Sequence, residues 1–415
     1  MNNKRLQAGV AGIGGYANSH HEVMRALEEE GLLQVRSTCD PKASELLALQ
    51  ELLGFAERGV RVSPDFAGMF DQSLDLVSVS APIHLHATMH RTCVDHGAAC
   101  YLEKPPTLDP VELAAMIETD RRARQQTHVG FHLLHQPERL ALKQRMVDGE
   151  FGTLRRAAFV GSWRRAVSYF QRNSWAGRLT LGDTPLLDSS FANAMAHYVN
   201  AVLFFSGSGG LYSWASPLRA EAELYRANAI QGADTIFVRA QLDNGVTCHI
   251  ATTHACESEH EHREIYEFEH ARVEIRLWQD AEILWADGRR EALPMPDASL
   301  IGNVRSYISY LNGATDRANI RLEDCQAFVN LNALLYLAVP RIVEIPAAHL
   351  RSWPMPEYHT SALVAEGVAE AVEEFSRSGA FPSEQGVPWG QAGGESHIGE
   401  ISRLGDAVAA LSKAP

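Results

Sequence analysis

The stretch Gly12-Ile13-Gly14-Gly15-Tyr16-Ala17 decides the fold of the first part of the chain. The apolar run from Leu6 to Ala11 precedes it and predicts a buried strand. The residues from His20 to Glu30 follow it and predict a helix, which Gly31 ends. A strand, a glycine-rich turn and a helix in this order indicate the start of a doubly wound parallel sheet.

The same stretch predicts a dinucleotide site. Gly12 allows a tight turn, and Gly14 lets the backbone approach a diphosphate, whose charge the helix N-terminus favours. A second predicted strand, Leu32 to Thr38, leads to Asp40, whose carboxylate suits the ribose hydroxyls and would repel a 2′-phosphate. The sequence therefore favours NAD over NADP.

A second informative stretch is Glu103-Lys104-Pro105-Pro106-Thr107-Leu108, which follows an apolar, strand-like run over 98–102. Proline biases the residue before it toward extended backbone, so Lys104 is expected in a stiff segment. Open α/β sheets bind ligands at the carboxyl ends of their strands, which makes Lys104 a candidate for chemistry. A surface Glu-Lys pair in a proline-rich turn is the alternative.

The pattern of elements predicts an α/β protein with three regions. Strands and helices alternate over residues 1–132, which predicts an NAD(P)-binding Rossmann domain. Residues 133–345 contain successive strands without intervening helices, which predicts an α+β substrate and oligomerisation domain with a large, mostly antiparallel open sheet. Residues 346–415 are richer in proline and glycine and predict a helical extension, with a helix over 361–377.

Composition excludes several classes of function. The net charge of −14 argues against nucleic acid or an anionic membrane as a main partner. No apolar run approaches the length of a membrane span, and Met1 to Arg5 leave no room for a signal peptide before the first strand. The six scattered cysteines lack C-x-x-C spacing and indicate reduced thiols in a cytoplasmic protein.

Three blocks of sequence together resemble the glucose–fructose oxidoreductase / inositol dehydrogenase (Gfo/Idh/MocA) family. The first is the glycine stretch. The second is Ala81-Pro82-Ile83-His84-Leu85-His86, followed by Gly97 and Glu103-Lys104-Pro105, which is similar to the family's T-P-x-x-x-H…G…E-K-P. The third, Asn193-Ala194-Met195-Ala196-His197-Tyr198-Val199-Asn200, is similar to D-x-G-x-H-x-x-D.

The resemblance implies a nicotinamide domain followed by an open-faced α/β domain, with the substrate between the nicotinamide and that sheet. It implies that Lys104 hydrogen-bonds the reacting oxygen and that His197 exchanges the hydroxyl proton. A histidine packed in the domain core is the alternative for His197. The resemblance also extends the cofactor site to Ala81, Pro82, His86, Glu103, Lys104 and Pro105.

The chain departs from the family pattern at the substrate. Asn193 replaces the family's acid, and Asp188 is the alternative acid if a short insertion separates it from His197. Trp163, Arg164 and Arg178 suit sugars, because aromatic faces stack on sugar CH groups and guanidinium groups bind oxygens. An exposed loop edge with extended arginines is the alternative.

The histidines between His254 and His262 match no known zinc spacing, so no metal site is predicted there. A hairpin rim at the sheet edge is expected instead, although His254 and Glu257 could face the substrate.

Taken together, these features predict an NAD(P)-dependent oxidoreductase acting on a CH–OH group of a sugar, inositol or related polyol. A redox-neutral NAD-dependent glycosidase and a regulatory dinucleotide- or sugar-binding protein without turnover are the alternatives. A homodimer or homotetramer is expected through the exposed face of the second domain's sheet, since a large bare sheet invites pairing.

Overall fold

The computed structural model describes residues 5–182 and 184–413. Residues 1–4, on which the signal-peptide prediction partly depends, lie outside this part of the chain. No helix within the described residues has the length and apolar character needed to cross a bilayer.

The described helices vary from one and a half to nearly four turns. The α-helices are α1 (Ala17–Glu29), α2 (Leu47–Leu52), α3 (His86–Asp95), α4 (Pro110–Asp120), α5 (Pro137–Val147), α6 (Ala196–Ser206), α7 (Leu300–Leu311), α8 (Gln326–Ala338), α9 (Val368–Ser378) and α10 (Leu404–Leu411). Short 3-10 segments are Ala43–Glu45, Ala67–Asp71, Ile83–Leu85, His132–His135, Val167–Gln171, Glu323–Cys325, Ala347–His349, Pro356–Tyr358 and Ile398–Arg403, and a π-helical turn spans Ser190–Ala194.

The strands form one parallel sheet, one large mixed sheet and two short hairpins. They are β1 (Leu6–Ala11), β2 (Leu33–Cys39), β3 (Arg61–Ser63), β4 (Leu76–Val79), β5 (Ala99–Leu102), β6 (His128–Val129), β7 (Leu154–Ser162), β8 (Thr180–Leu181), β9 (Thr184–Pro185), β10 (Pro217–Arg226), β11 (Thr235–Leu242), β12 (Thr247–Thr253), β13 (Glu261–Phe268), β14 (Ala271–Arg276), β15 (Ala281–Trp285), β16 (Arg290–Leu293), β17 (Val343–Glu344), β18 (Leu350–Met355), β19 (Thr360–Ala365) and β20 (Gly394–His397).

The described chain divides into two compact units. The first unit contains residues up to 107, 111–135 and 298–325, and the second contains 108–110, 136–297 and 326 onward. Residues 298–325 therefore return to the first unit, whereas the sequence placed them in the second domain. Residues 346–413 belong to the second unit and contribute strands as well as helices.

The first unit is built on a parallel sheet with the order β3-β2-β1-β4-β5-β6. Strands β4 and β5 are buried along their whole length, which explains their continuous apolar sequence. Helix α7 packs into the same core, and Asn303 accepts a hydrogen bond of 2.8 Å from the Tyr101 hydroxyl. The strand order is the doubly wound arrangement that the glycine stretch predicts.

The second unit is built on a mixed sheet with the order β16-β15-β14-β13-β7-β12-β11-β10-β17, to which β20 adds beside β10. Its pairs are antiparallel except for β7 with β12 and β10 with β17. The predicted hairpin at Asp243-Asn244-Gly245 connects β11 to β12, where Gly245 has a φ of 85°. Strands β15 and β16 were not predicted. The fold class of a Rossmann sheet plus a large, mostly antiparallel sheet is confirmed.

Both faces of the central strands are covered within the second unit. Helices α6 and α8 pack on one face. On the other face, Phe375, Phe381 and Trp389 form an apolar cluster with Tyr225 of β10 and Phe237 of β11. The predicted subunit interface assumed a bare sheet, and this assumption is wrong for the central strands because the chain covers them with its own C-terminal residues.

The C-terminal region also corrects a helix prediction. Residues 361–365 form most of β19, which pairs with β18 in a hairpin, and α9 begins only at Val368, after Gly367. The apolar residues Leu363 and Val364 fit a strand as well as a helix, so the local pattern alone was ambiguous. The predicted extension therefore contains a hairpin, α9, β20 and α10 rather than helices alone.

Candidate active site

The glycine turn leaves the carboxyl end of β1 and enters α1. Gly12 has a φ of 96°, and a Cβ atom there would lie 2.8 Å from the Cβ atom of Ala17, so only glycine fits. A Cβ atom at Gly14 would meet only the Leu46 side chain, at an ordinary 3.5 Å. Packing within the protein therefore does not require glycine at position 14, whereas close approach of a diphosphate to the backbone would require it.

Side chains of neighbouring elements hold this turn in place. Ile13 N donates to Asp40 Oδ2 at 3.0 Å, and Lys42 N donates to Asp40 Oδ1 at 2.9 Å. His21 Nε2 and Thr38 Oγ1 both lie within hydrogen-bond distance of Gly12 O, at 2.9 and 3.2 Å. Asp40 thus lies at the turn, and no side chain caps the N-terminus of α1. These features fit the diphosphate and ribose of a dinucleotide.

Lys104 follows the carboxyl end of β5 in the same unit and is half-buried. The preceding Glu103 is 6% exposed, and its Oε2 accepts from Lys104 N at 3.2 Å. Its Oε1 lies 3.1 Å from Nε2 of the buried His20, whose Nδ1 lies 2.8 Å from Ser78 Oγ. Burial raises the pKa of Glu103, but the hydrogen bond and charge of His20, with Lys104, outweigh it and lower that pKa.

His86 links the segments that follow β4 and β5. It is 2% exposed, and its Nδ1 and Nε2 lie 3.0 Å from Pro105 O and 2.9 Å from Ala81 O. Both ring nitrogens therefore contact backbone carbonyl oxygens of the two segments that carry predicted cofactor residues. Together with Pro82, these residues lie at the carboxyl edge of the parallel sheet, and contact with a cofactor stays a prediction.

In the second unit, a π-helical turn at Ser190–Ala194 leads into α6, which carries His197 in its first turn. His197 is 9% exposed, and Asn200, one turn later, is fully buried. Lys143 fixes the other end of α6. Its buried ammonium donates to Phe204 O at 2.5 Å, to Ser213 O at 3.3 Å and to Gly207 O.

Asp188 and Asn193, the two alternatives for the substrate-facing polar residue, contact each other. Asn193 Nδ2 donates to Asp188 Oδ1 at 2.9 Å, and Gly177 N donates to Asp188 Oδ2 at 2.6 Å. The π-helical turn brings together two residues five positions apart. The pair offers carboxylate and amide oxygens as acceptors for hydroxyl groups.

A small cavity, too narrow in this structure to hold a water molecule, contains this pair. Tyr169, Phe170 and His254 line it together with Asp188 and Asn193. His254 Nδ1 lies 2.7 Å from Trp163 O, which makes Nδ1 the donor and leaves Nε2 as an acceptor. Burial, together with the charge of Arg165, lowers the pKa of His254 to about 3, so the ring is neutral.

The three other predicted substrate residues do not line this cavity. Arg164 donates to Glu257 O and lies 5.0 Å above the Trp353 ring, while the Arg178 side chain is exposed. Trp163 contacts His260 and Arg165 at ring distances of 4.3 and 3.7 Å. The sequence missed Tyr169 and Phe170, although an aromatic pair just after two arginines was an available signal. In residues 5–182 and 184–413, no three His, Cys, Asp or Glu side chains are placed to hold a metal.

The sheet order and the glycine turn are those of a Rossmann domain. Residues 6–131 match the oxidoreductase family with an NAD-binding Rossmann fold, GFO_IDH_MocA. This match confirms the resemblance over residues 6–131, which contain the first two sequence blocks, while the third block lies outside the matched residues.

The chain is also similar to individual proteins. D-glucoside 3-dehydrogenase of Escherichia coli (strain K12) is 25% identical over 154 residues, which are 37% of this chain and 42% of that protein. The WlbA dehydrogenase from Bordetella pertussis, in complex with NADH and UDP-GlcNAcA, has a TM-score of 0.66 at 17% identity, covering 80% of this chain and 96% of its own. The UDP-N-acetylglucosamine 3-dehydrogenase GnnA from Acidithiobacillus ferrooxidans has a TM-score of 0.61 at 16% identity, covering 79% and 96%. Both structural matches support the fold over most of the chain.

Proposed function

We propose that this protein is an NAD-dependent dehydrogenase acting on a secondary hydroxyl group of a sugar or related polyol. The observation that carries the proposal is the arrangement of the first unit. The glycine turn after β1 and Lys104 after β5 lie at the same edge of one parallel sheet, on either side of β4. This is the edge at which such sheets bind nucleotides.

Lys104 is proposed to bind the oxygen of the reacting carbon. Its ammonium group stabilises negative charge on that oxygen when the hydroxyl proton leaves. The contact between Glu103 and Lys104 N fixes the backbone that presents the side chain. The bound nicotinamide supplies the hydride acceptor, while Lys104 orients the carbon that loses hydride.

His197 is proposed to exchange the hydroxyl proton. Imidazole suits this role because its ordinary pKa near 6.5 allows both proton uptake and release at neutral pH. His197 lies in the first turn of α6, and Lys143 holds the far end of that helix. This arrangement restricts the motion of the His197 side chain.

Asp40 supports NAD over NADP. It lies beside Ile13 at the end of β2, where a carboxylate accepts from ribose hydroxyls and repels a 2′-phosphate. The names of the similar proteins agree with this cofactor, since WlbA was solved with NADH.

The side chains around the cavity support a polyhydroxylated substrate. Asp188, Asn193 and neutral His254 offer several hydrogen-bond acceptors beside the aromatic faces of Tyr169 and Phe170. The names of D-glucoside 3-dehydrogenase and GnnA describe dehydrogenation of sugars, and WlbA was solved with the sugar nucleotide UDP-GlcNAcA. A cytoplasmic location is proposed as well, because all six cysteines are buried free thiols.

The test is a screen of sugars, glycosides and inositols with NAD, read as NADH absorbance together with product analysis. The proposal expects one mole of NADH for each mole of ketone product. Product formed without net NADH would instead support the redox-neutral glycosidase. Tight NAD binding without turnover of any substrate class in the screen would contradict the proposal.

A further inference from the structure

A ladder of alternating aromatic rings and arginines lies in the second unit beside the cavity. Arg165 Cζ lies 3.7 Å from the ring centre of Trp163 and 4.5 Å from that of Tyr169. Arg172 Cζ lies 3.6 Å from the same Tyr169 ring and 5.2 Å from that of Trp175. We call these five residues the arginine ladder. Tyr169 belongs both to the ladder and to the wall of the cavity.

The charges of these two arginines are not balanced by acids. Arg139, Arg145 and Arg239 pair with carboxylates at 3.0, 2.7 and 2.6 Å. In the described part of the chain, no carboxylate forms an ion pair with Arg165 or Arg172. Arg164 and Arg178 of this unit also form no ion pair among the described residues, so the distinguishing feature of Arg165 and Arg172 is that both stack on the Tyr169 ring.

The arginines are not satisfied by their rings alone. Arg165 Nε is buried and has no hydrogen-bond partner, and Arg172 donates to Tyr169 O at 2.6 Å. Stacking on an aromatic face attracts the cation. It holds the plane of a guanidinium but leaves its N–H groups directed along the edges, where they suit a carboxylate or phosphate. Burial and the neighbouring charge of Arg172 also lower the pKa of Arg165, so a nearby anion would stabilise its cation.

The segment that carries the ladder is braced by the C-terminal hairpin. Ala166 forms a β-bridge with Ala362 of β19, and both are buried with Met355. Tyr169 lies in the 3-10 segment that follows this bridge. The start of the ladder is therefore attached to the C-terminal hairpin, whereas residues 171–174 are exposed.

We propose that Arg165 and Arg172 form a subsite for the anionic group of an acidic sugar. The proposal rests on the dehydrogenase function proposed above and adds the substrate class. The anionic group is a carboxylate, as in a uronic acid, or a phosphate, as in a sugar phosphate. The acceptors of Asp188, Asn193 and His254 would bind the hydroxyl groups of the same sugar.

The experiment compares matched neutral and acidic sugars. Glucose, galactose and mannose are each paired with their uronates and 6-phosphates. Values of kcat/KM are measured with NAD, and binding is measured by calorimetry in the presence of NADH. We expect at least a tenfold preference for one acidic series, and the series that is preferred identifies carboxylate or phosphate as the group bound.

The variants Arg165→Gln and Arg172→Gln should each reduce kcat/KM for the acidic series at least tenfold more than kcat/KM for the neutral series. Arg403→Gln removes the same charge at an exposed position and should change neither value. Arg172 is exposed, so its variant keeps the test valid if Arg165→Gln fails to fold.

The outcomes separate the two proposals. Neutral sugars turned over without any preference for acidic ones would overturn the subsite and leave the dehydrogenase standing. Acidic sugars that bind, lose binding in the arginine variants and are never oxidised would support the subsite and contradict the dehydrogenase. Unchanged preference in both arginine variants would overturn the subsite. Neither binding nor turnover of any sugar would overturn both.

Discussion

The imidazole of His20 lies 3.1 Å from the carboxylate of Glu103, and both groups are buried beneath the segment that carries Lys104. The pair joins α1, which begins at the glycine turn, to the carboxyl end of β5. One buried contact therefore connects the predicted cofactor turn to the predicted catalytic lysine. We expect the distance between the glycine turn and the Lys104 segment to depend on this contact between His20 and Glu103.

Replacing Glu103 with Gln should weaken this connection. The amide keeps the shape but loses the charge, and removing one partner of a buried pair costs roughly 1–3 kcal/mol. The pKa of Glu103 is lower in the folded protein, so its contribution is present above the ordinary value of 4.5 and is lost as pH falls through the folded pKa. Urea unfolding of both proteins at several pH values measures this. Equal unfolding free energies at neutral pH would contradict the role.

Replacing Lys104 with Ala should reduce kcat by roughly 100- to 10,000-fold, because charge on the reacting oxygen would lose its partner. Affinity for NADH should change by less than about threefold, since the glycine turn is intact. Steady-state kinetics and NADH fluorescence titration give the two values. Lys413→Ala, at an exposed lysine, is the control. Wild-type turnover in the Lys104 variant would refute the proposed mechanism.

Two substitutions at Asp40 separate charge from hydrogen bonding. Asp40→Asn retains an oxygen that accepts from Ile13 N but removes the charge that repels a 2′-phosphate. We expect it to reduce the NADH-over-NADPH preference about tenfold, while Asp40→Ala should also weaken NADH binding because the turn loses its anchor. Fluorescence titration with both cofactors provides the ratio. A constant ratio would place the discrimination elsewhere.

Lys143 is expected to be a major source of stability in the second unit. Its ammonium group serves three backbone carbonyls around the end of α6 and is fully buried. Lys143→Met should reduce the free energy of unfolding by about 3 kcal/mol or more, because those carbonyls lose their donor. Chemical denaturation followed by circular dichroism tests this against Lys413→Met. A loss no larger than that of the control would show that α6 does not depend on this contact.

Buried histidines should make the protein sensitive to mild acid. Burial lowers the pKa of His21, His128 and His249 to about 4, and that of His254 and His262 to about 3. The unfolded chain therefore binds more protons as pH falls below 6.5, and each residue costs roughly 2 kcal/mol of stability by pH 5. The unfolding free energy should decrease steeply from pH 7 to pH 5.

His249→Gln should make that decrease smaller, since one titrating group is lost. His397→Gln, at a histidine more than half exposed, is the matched control. A stability that does not vary between pH 7 and pH 5 would contradict the burial of these rings.

Local sequence was sufficient for the sheet of the first unit. The run from Leu6 to Ala17 specifies strand, turn and helix without distant contacts, and Asp40 accepts from Ile13 N at the turn, while its contact with a cofactor stays a prediction. The return of residues 298–325 to the first unit was not visible, because it depends on contacts such as Tyr101 with Asn303 across 202 positions. A sequence pattern indicates that one face of a helix is buried, but it does not identify the residues that pack against that face.

The second unit shows the same division between local and distant information. His197 and Asn193 were selected from spacing and their roles stay predictions, whereas the contact between Asn193 and Asp188 depends on a π-helical turn that has no clear sequence signal. The arginine ladder was also missed. Stacking of Arg165 between Trp163 and Tyr169 depends on the backbone at Ala166, which pairs with Ala362 of the C-terminal hairpin.

The position of β20 beside β10 has a consequence for biosynthesis. Strand β10 begins at residue 217, but one of its neighbours ends at residue 397, so a growing chain on the ribosome exposes that sheet edge until residue 397 has been synthesised. The first unit likewise lacks part of its core until residues 298–325 have been synthesised. Cotranslational folding of either unit is therefore delayed, and nascent chains that stop early would present unpaired backbone to chaperones or to each other.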